Sequence, residues 1–171
     1  MTMGIQERSG CEQAIALVER LIGNLHQRGS AIVQEHWDFI YKMDQKFTGW
    51  NRKSRLQVRC IMDGNSIRAD WCEIRWHGLQ AKGNREARRR YIGKPKDSHL
   101  YTISKLTKLA REWEVEQVEK TETSLAQIRR EASHLVKALI YLRHAQKVVT
   151  GSCTQVSMYN KPKLAQGATY E

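Results

Sequence analysis

An α+β fold is what this 171-residue sequence predicts: a long N-terminal helix, a central basic antiparallel β-meander, and a long C-terminal helix packed antiparallel on the first. Three observations predict it. Apolar residues recur at steps of three and four along two long stretches, as on a helix face. Between those stretches the period drops to two, the mark of half-buried strands. Clusters rich in Gly and Asn stand where the period changes, and these are residues that let a backbone reverse.

The first seam runs Cys11, Ile15, Val18, Ile22, Leu25, Gly29, Ile32, with His36, Phe39 and Met43 completing it. Trp37, Ile40 and Tyr41 widen its apolar stripe. Gly29 lies inside the seam, so either a kink or a close backbone approach is expected near Gly29 and Ser30. Gly49, Trp50 and Asn51 are expected to end the helix.

In the middle, Leu56, Val58, Cys60 and Met62 alternate with polar positions, Ile61 standing out of pattern, and Asp63-Gly64-Asn65-Ser66 supplies a turn. Ile67 and Ala69 resume the alternation. After Trp71 the phase slips, and Cys72, Ile74 and Trp76 carry it on, which predicts a β-bulge at Trp71-Cys72. On that phase Trp76 belongs to the core, and so does Trp71, which sits at the slip. A second turn falls in Gly78 to Asn84, and Glu86 to Ile92 forms a third strand, closed by Gly93-Lys94-Pro95.

The second helical stretch spans about Ser104 to Val149, with Val118, Leu125, Ile128, Ala132, Leu135, Leu139 and Leu142 as its seam. Ser104 is the expected N-cap, and Glu112-Trp113-Glu114 offers a break between a short helix and a long one. Thr150-Gly151 supplies the stop. Residues 1–151 are therefore expected to form a single helix–β-meander–helix domain, followed by a flexible tail, 152–171.

Charge is concentrated in the middle. Between Arg52 and Lys96 the chain carries thirteen Lys and Arg against four acids, a net +9 of the total +11. A basic surface on folded structure suits a phosphate-bearing partner. The run Arg88-Arg89-Arg90-Tyr91 is its densest part. Arg75, Lys82, Arg85, Arg88, Arg89, Arg90, Tyr91, Lys94 and Lys96 are the candidate nucleic-acid-binding residues. Guanidinium forks match phosphate oxygens, and a two-stranded ribbon fits a DNA groove. Successive arginines on a strand point to opposite faces, so the run belongs on an edge strand or hairpin tip. The competing explanation is an edge made basic to prevent strand-to-strand association. A secondary DNA contact through Arg129-Arg130 is the weaker candidate.

Catalytic signatures are missing. The six His stand apart at 26, 36, 77, 99, 134 and 144, and no phosphate-binding loop or nucleophile setting occurs. We expect no enzyme, no catalytic residue and no cofactor. Cys11, Cys60, Cys72 and Cys153 are expected to be free, mostly buried thiols, and Cys60, Cys72, His77 and His99 match no zinc spacing, so no metal is expected. No apolar run reaches a membrane span and the N-terminus lacks a signal-peptide pattern, so a cytoplasmic protein without membrane partners is expected.

The order of features from Trp71 to Leu142 resembles the MobI family of conjugative transfer proteins. Glu73-Ile74-Arg75-Trp76, then Arg88-Arg89-Arg90-Tyr91-Ile92-Gly93-Lys94, Trp113-Glu114, and Glu122 leading to Ile128-Arg129-Arg130 carry the likeness. The resemblance implies an auxiliary factor of a plasmid or integrative conjugative element that recognises origin-of-transfer DNA and assists a separate relaxase. The expected partners are thus duplex DNA, a relaxase or other transfer proteins, and a second copy of the chain if the seams close between molecules. The alternative reading is a non-enzymatic helical interaction module of a mobile element or phage, with a basic surface that contacts RNA.

Overall fold

The computed structural model describes residues 10–47, 49, 52–78, 83, 84 and 86–149. Helix α1 spans Gly10–Lys46, strands β1, β2 and β3 span Leu56–Asp63, Ser66–His77 and Glu86–Tyr91, a short helix α2 spans Ile103–Thr107, and α3 spans Val115–Val149. The expected α+β architecture is what forms, with α3 antiparallel on α1.

The heptad seams meet as their spacing requires. Ile22 and Leu25 of α1 pack with Ile128, Ala132 and Leu139 of α3 in one buried cluster. Exposed ion pairs Arg28–Glu131, Lys120–Glu35 and Arg143–Glu19 step along the two helices in opposite directions. Such pairs contribute little stability in water, about 0–1 kcal/mol each. At Gly29 the expected close approach is realised, and α1 continues unbroken through it. A Cβ there would lie 2.8 Å from Cys60 Sγ, so only glycine lets β1 settle this tightly on the helix.

The sheet has the order β1-β2-β3, antiparallel throughout. Leu56, Val58, Ala69 and Trp71 face the helices and pack with Val118 and Leu125 in a second cluster. Trp37 Nε1 donates to the Val58 carbonyl at 3.1 Å, tying α1 to β1.

The expected bulge at Trp71-Cys72 does not form. Pairing runs residue for residue from Leu56↔Glu73 to Asp63↔Ser66, and from Cys72↔Tyr91 to His77↔Glu86. Trp71, Cys72 and Glu73 are buried in succession because both faces are shielded at the sheet centre, with Cys72 flanked in register by Gln57 and Tyr91. The helix-facing phase therefore continues through Trp71 instead of shifting to Trp76. Trp71 is completely buried, whereas Trp76 is 47% exposed, which overturns its assignment to the core. Strand alternation puts Trp76 on the outer face, with Cys72 and Ile74.

The second helical stretch is broken, as the Glu112-Trp113-Glu114 alternative anticipated. A 3-10 turn at Glu112–Glu114 separates α2 from α3. Thr102, not Ser104, occupies the N-cap of α2, and Ser104 lies within the first turn. The Glu114 carboxylate accepts the Arg111 N–H at 2.7 Å, and Trp113 stacks on Phe47 with ring centres 5.7 Å apart. Trp50, Asn51, the expected stop at Thr150-Gly151 and the expected tail 152–171 lie outside the described residues.

Of the three described cysteines, all are free; Cys72 is buried and Cys11 and Cys60 are half-buried. Cys60 and Cys72 lie on opposite faces of the sheet by register, so they cannot share one ion. Among the described residues no helix is long and apolar enough to cross a membrane.

Candidate nucleic-acid interface

Two environments divide the charged residues of this molecule, one buried and one open. The buried one is built around Glu122 and Arg129, one heptad apart on α3. Glu122 is fully buried and Arg129 nearly so. Their side chains form a two-pronged ion pair at 2.8 and 2.9 Å. Glu122 also accepts from Trp71 Nε1 at 2.7 Å and from the Tyr101 N–H at 2.8 Å. Arg129 donates further to the carbonyls of Ala69 at 2.8 Å and His99 at 2.7 Å, and lies over the Tyr101 ring.

This network explains how β2 can outrun β3. Pairing with β3 stops at Cys72↔Tyr91, with Ile92 N–H reaching one residue further to the Trp71 carbonyl. The Ala69 carbonyl beyond has no strand beside it, and Arg129 satisfies it. A buried carbonyl left unpaired costs about 1–3 kcal/mol, so the guanidinium replaces a missing piece of sheet. Arg129 is therefore structural, and the weaker candidate contact at Arg129-Arg130 loses its first residue.

The open environment is the β2–β3 hairpin. Gly78, at φ +85°, begins its turn, and a Cβ there would run into the Asn84 carbonyl oxygen, so the chain closes here only with glycine. Beyond Glu73 the described residues of the hairpin are exposed on both faces, apart from half-buried Ile74. All six residues of β3 are exposed, as befits an edge strand.

Register then sorts the candidate residues. Arg75 stands opposite Arg88, and Glu73 opposite Arg90, on one face; Arg89 stands opposite Ile74 on the other. Arg75 Nε donates to Glu73 at 2.8 Å, and Arg88 donates to Glu86 at 3.2 Å, so each already has one carboxylate. Arg89 and Arg90 have no carboxylate partner among the described residues. Tyr91 is about half exposed, its hydroxyl 3.3 Å from that of buried Tyr101. Lys94 donates to the Ser98 carbonyl and is half-buried, while Lys96 is exposed. Lys82 and Arg85 lie outside the described residues.

The structure thus brings Arg75, Arg88, Arg89 and Arg90 onto one hairpin and sets Lys94 and Lys96 in the segment that follows it. An outer shallow depression lined by Gln57, Ile74, Ala87 and Arg89 lies on the face opposite the helices. Sequence reasoning missed the Glu122–Arg129 pair. The signal was there: both residues flank the α3 seam at the same heptad position, where a solvent-facing charge is not required.

A family model described as MobI protein matches residues 25–143. No curated protein and no solved structure matches the chain.

Proposed function

The chain belongs to the MobI protein family, which places it among proteins of conjugative mobilisation, and on that premise we propose that it is a non-enzymatic DNA-binding accessory factor. Its β2–β3 hairpin docks on duplex DNA at the element's origin of transfer, and the docked protein assists a separate relaxase. The helices serve as the scaffold that holds the hairpin out.

One observation carries this reading: Arg89 and Arg90 are exposed, adjacent on an edge strand, and without carboxylate partners among the described residues. Their guanidinium groups are open to phosphate oxygens, which they match with paired N–H donors. Because they point to opposite faces, a hairpin entering a groove touches both backbone walls. Arg88 can exchange its exposed partner Glu86 for phosphate at small cost, since screened surface pairs are weak, whereas Arg75 is held by buried Glu73.

Affinity on this reading comes mainly from phosphate neutralisation, so it falls steeply with salt. Binding of a labelled origin-of-transfer duplex, followed by anisotropy across a salt series, tests it. The expected result is a steep negative slope of log affinity on log salt, with most affinity lost in Arg89→Ser/Arg90→Ser. Flat salt dependence, or unchanged binding by that variant with its helicity intact, overturns the reading.

A second reading, a helical interaction module, has support in the exposed Leu17, Leu21, Tyr141 and Val148 on the outer ends of α1 and α3. It predicts unimpaired mobilisation by the double serine variant.

A further inference from the structure

Arg130, His134 and Lys137 occupy positions i, i+4 and i+7 of α3, which stands them in one row along the helix. All three are exposed. The segment that follows β3 lies against this row. Arg129 donates to the His99 carbonyl at 2.7 Å from the neighbouring helical position, and so pins residue 99 to this turn of α3. Lys94 reaches the Ser98 carbonyl and closes the segment on itself.

The charges acting on His99 are all of one sign. Desolvation, then Lys94, Arg130, His134 and Lys137, hold its imidazole below the ordinary range. The carboxylates in reach are turned elsewhere. Glu131 pairs with Arg28 on the other flank of α3, and Glu122 is consumed by Arg129. Asp97, the one carboxylate between Ile92 and Tyr101, is not among the groups that act on His99. Cations gathered on one face repel each other, and a bound polyanion relieves that repulsion.

We propose that Arg130, His134 and Lys137, with Lys94 and His99 beside them, form a second phosphate-backbone contact, so that duplex DNA held at the hairpin continues across residues 94–99 onto α3. The proposal rests on the DNA-binding reading above and extends its footprint. The surface is continuous in the chain, since Lys94 follows the end of β3 by three residues. Seven helical residues span about 10 Å, the axial rise of roughly three successive nucleotides of one strand. Contacts of this kind read no base sequence and instead fix the orientation of the protein on the duplex.

Anisotropy with a labelled duplex at about 50–200 mM salt distinguishes the two contact areas. Arg130→Gln/Lys137→Gln is expected to weaken binding roughly 10-fold and to lower the magnitude of the log–log salt slope by about 2, equally for specific and unrelated duplexes. Affinity of the unsubstituted protein is expected to rise as pH falls from about 8 to 6, because a phosphate beside His99 favours its charged form, and His99→Gln is expected to reduce that rise. Circular dichroism should show unchanged helicity, as every substituted side chain is at the surface. If the α3 variant binds with unaltered affinity and slope while Arg89→Ser/Arg90→Ser is weakened, the second contact is overturned and the hairpin stands. If only the α3 variant is weakened, the hairpin reading fails and the α3 row remains as the contact. Failure of the unsubstituted protein to bind any duplex overturns both.

Discussion

Arg129 and Arg89 are the same residue in opposite circumstances. Arg129 is buried against α3, β2 and the 99–101 segment, and its Nε, Nη1 and Nη2 all donate to protein oxygens. Arg89 stands on an edge strand with no carboxylate partner among the described residues. The first arginine is consumed by the fold and the second is left open. Net charge therefore does not map directly onto binding surface, because a buried guanidinium with four of its five N–H donors already given to protein oxygens is not open to phosphate.

The strongest way to break the comparison is to remove Arg129. Arg129→Met keeps an apolar stem but leaves Glu122 buried without its counter-ion and the Ala69 carbonyl without a donor. Deleting one partner of a buried pair costs about 3–5 kcal/mol. Urea unfolding followed by circular dichroism should show a loss of that size. A loss below about 1 kcal/mol, the range of an ordinary surface site, would show that the pair does not hold β2 to α3.

A second buried polar group sharpens the contrast by its pH dependence. His36 is fully buried, with Nδ1 3.0 Å from Thr121 Oγ1, its ring edge-on to Trp71, and Nε2 without a partner among the described residues. Desolvation lowers its pKa from 6.5 to about 4. Between those values the unfolded chain takes up a proton that the folded protein refuses. Stability therefore falls as pH drops through that window and levels off below it, by about 3 kcal/mol in total. Glu114 works in the opposite sense, since burial raises its pKa and acid then favours the folded state. Unfolding free energies measured from neutral pH to pH 4 in a Glu114→Gln background isolate the histidine. Replacing His36 by Gln should flatten the remaining acid dependence; an unchanged slope would remove His36 as its source.

These contrasts also mark where the sequence was legible. The helix pair could be read because heptad spacing is a direct consequence of helix geometry, and Gly29, interrupting a run of larger side chains, announced either a kink or a close approach, of which the close approach is realised. The hairpin could be read from alternation and turn residues. What failed was the choice of face on β2: a strand buried on both sides at its centre has no alternation there, so the pattern reads as a phase slip that puts Trp76 in the core beside Trp71, whereas Trp76 stands on the outer face. Arg129 and Arg130 were inseparable by residue type. Only their positions relative to the seam differ, with Arg129 one heptad after Glu122 on the flank that meets β2, and that flank becomes defined only once the sheet is placed.

The smallest expected effect on stability bears most directly on the comparison. Arg89→Ser/Arg90→Ser removes two cations from an exposed edge strand and breaks no ion pair among the described residues. Surface substitutions of this kind usually change stability by no more than about 0.5 kcal/mol. Relief of repulsion among Arg75, Arg88, Arg89 and Arg90 pushes slightly toward stabilisation, while loss of edge protection pushes toward association between hairpins. Urea unfolding together with sedimentation separates these outcomes. A monodisperse variant with the unsubstituted midpoint means that the fold does not need these charges, and their retention on the edge must then be explained by what they touch. A variant that unfolds early or associates through its sheet edge means that the arginines protect the hairpin itself, and the distinction between Arg129 and Arg89 becomes one of location rather than of purpose.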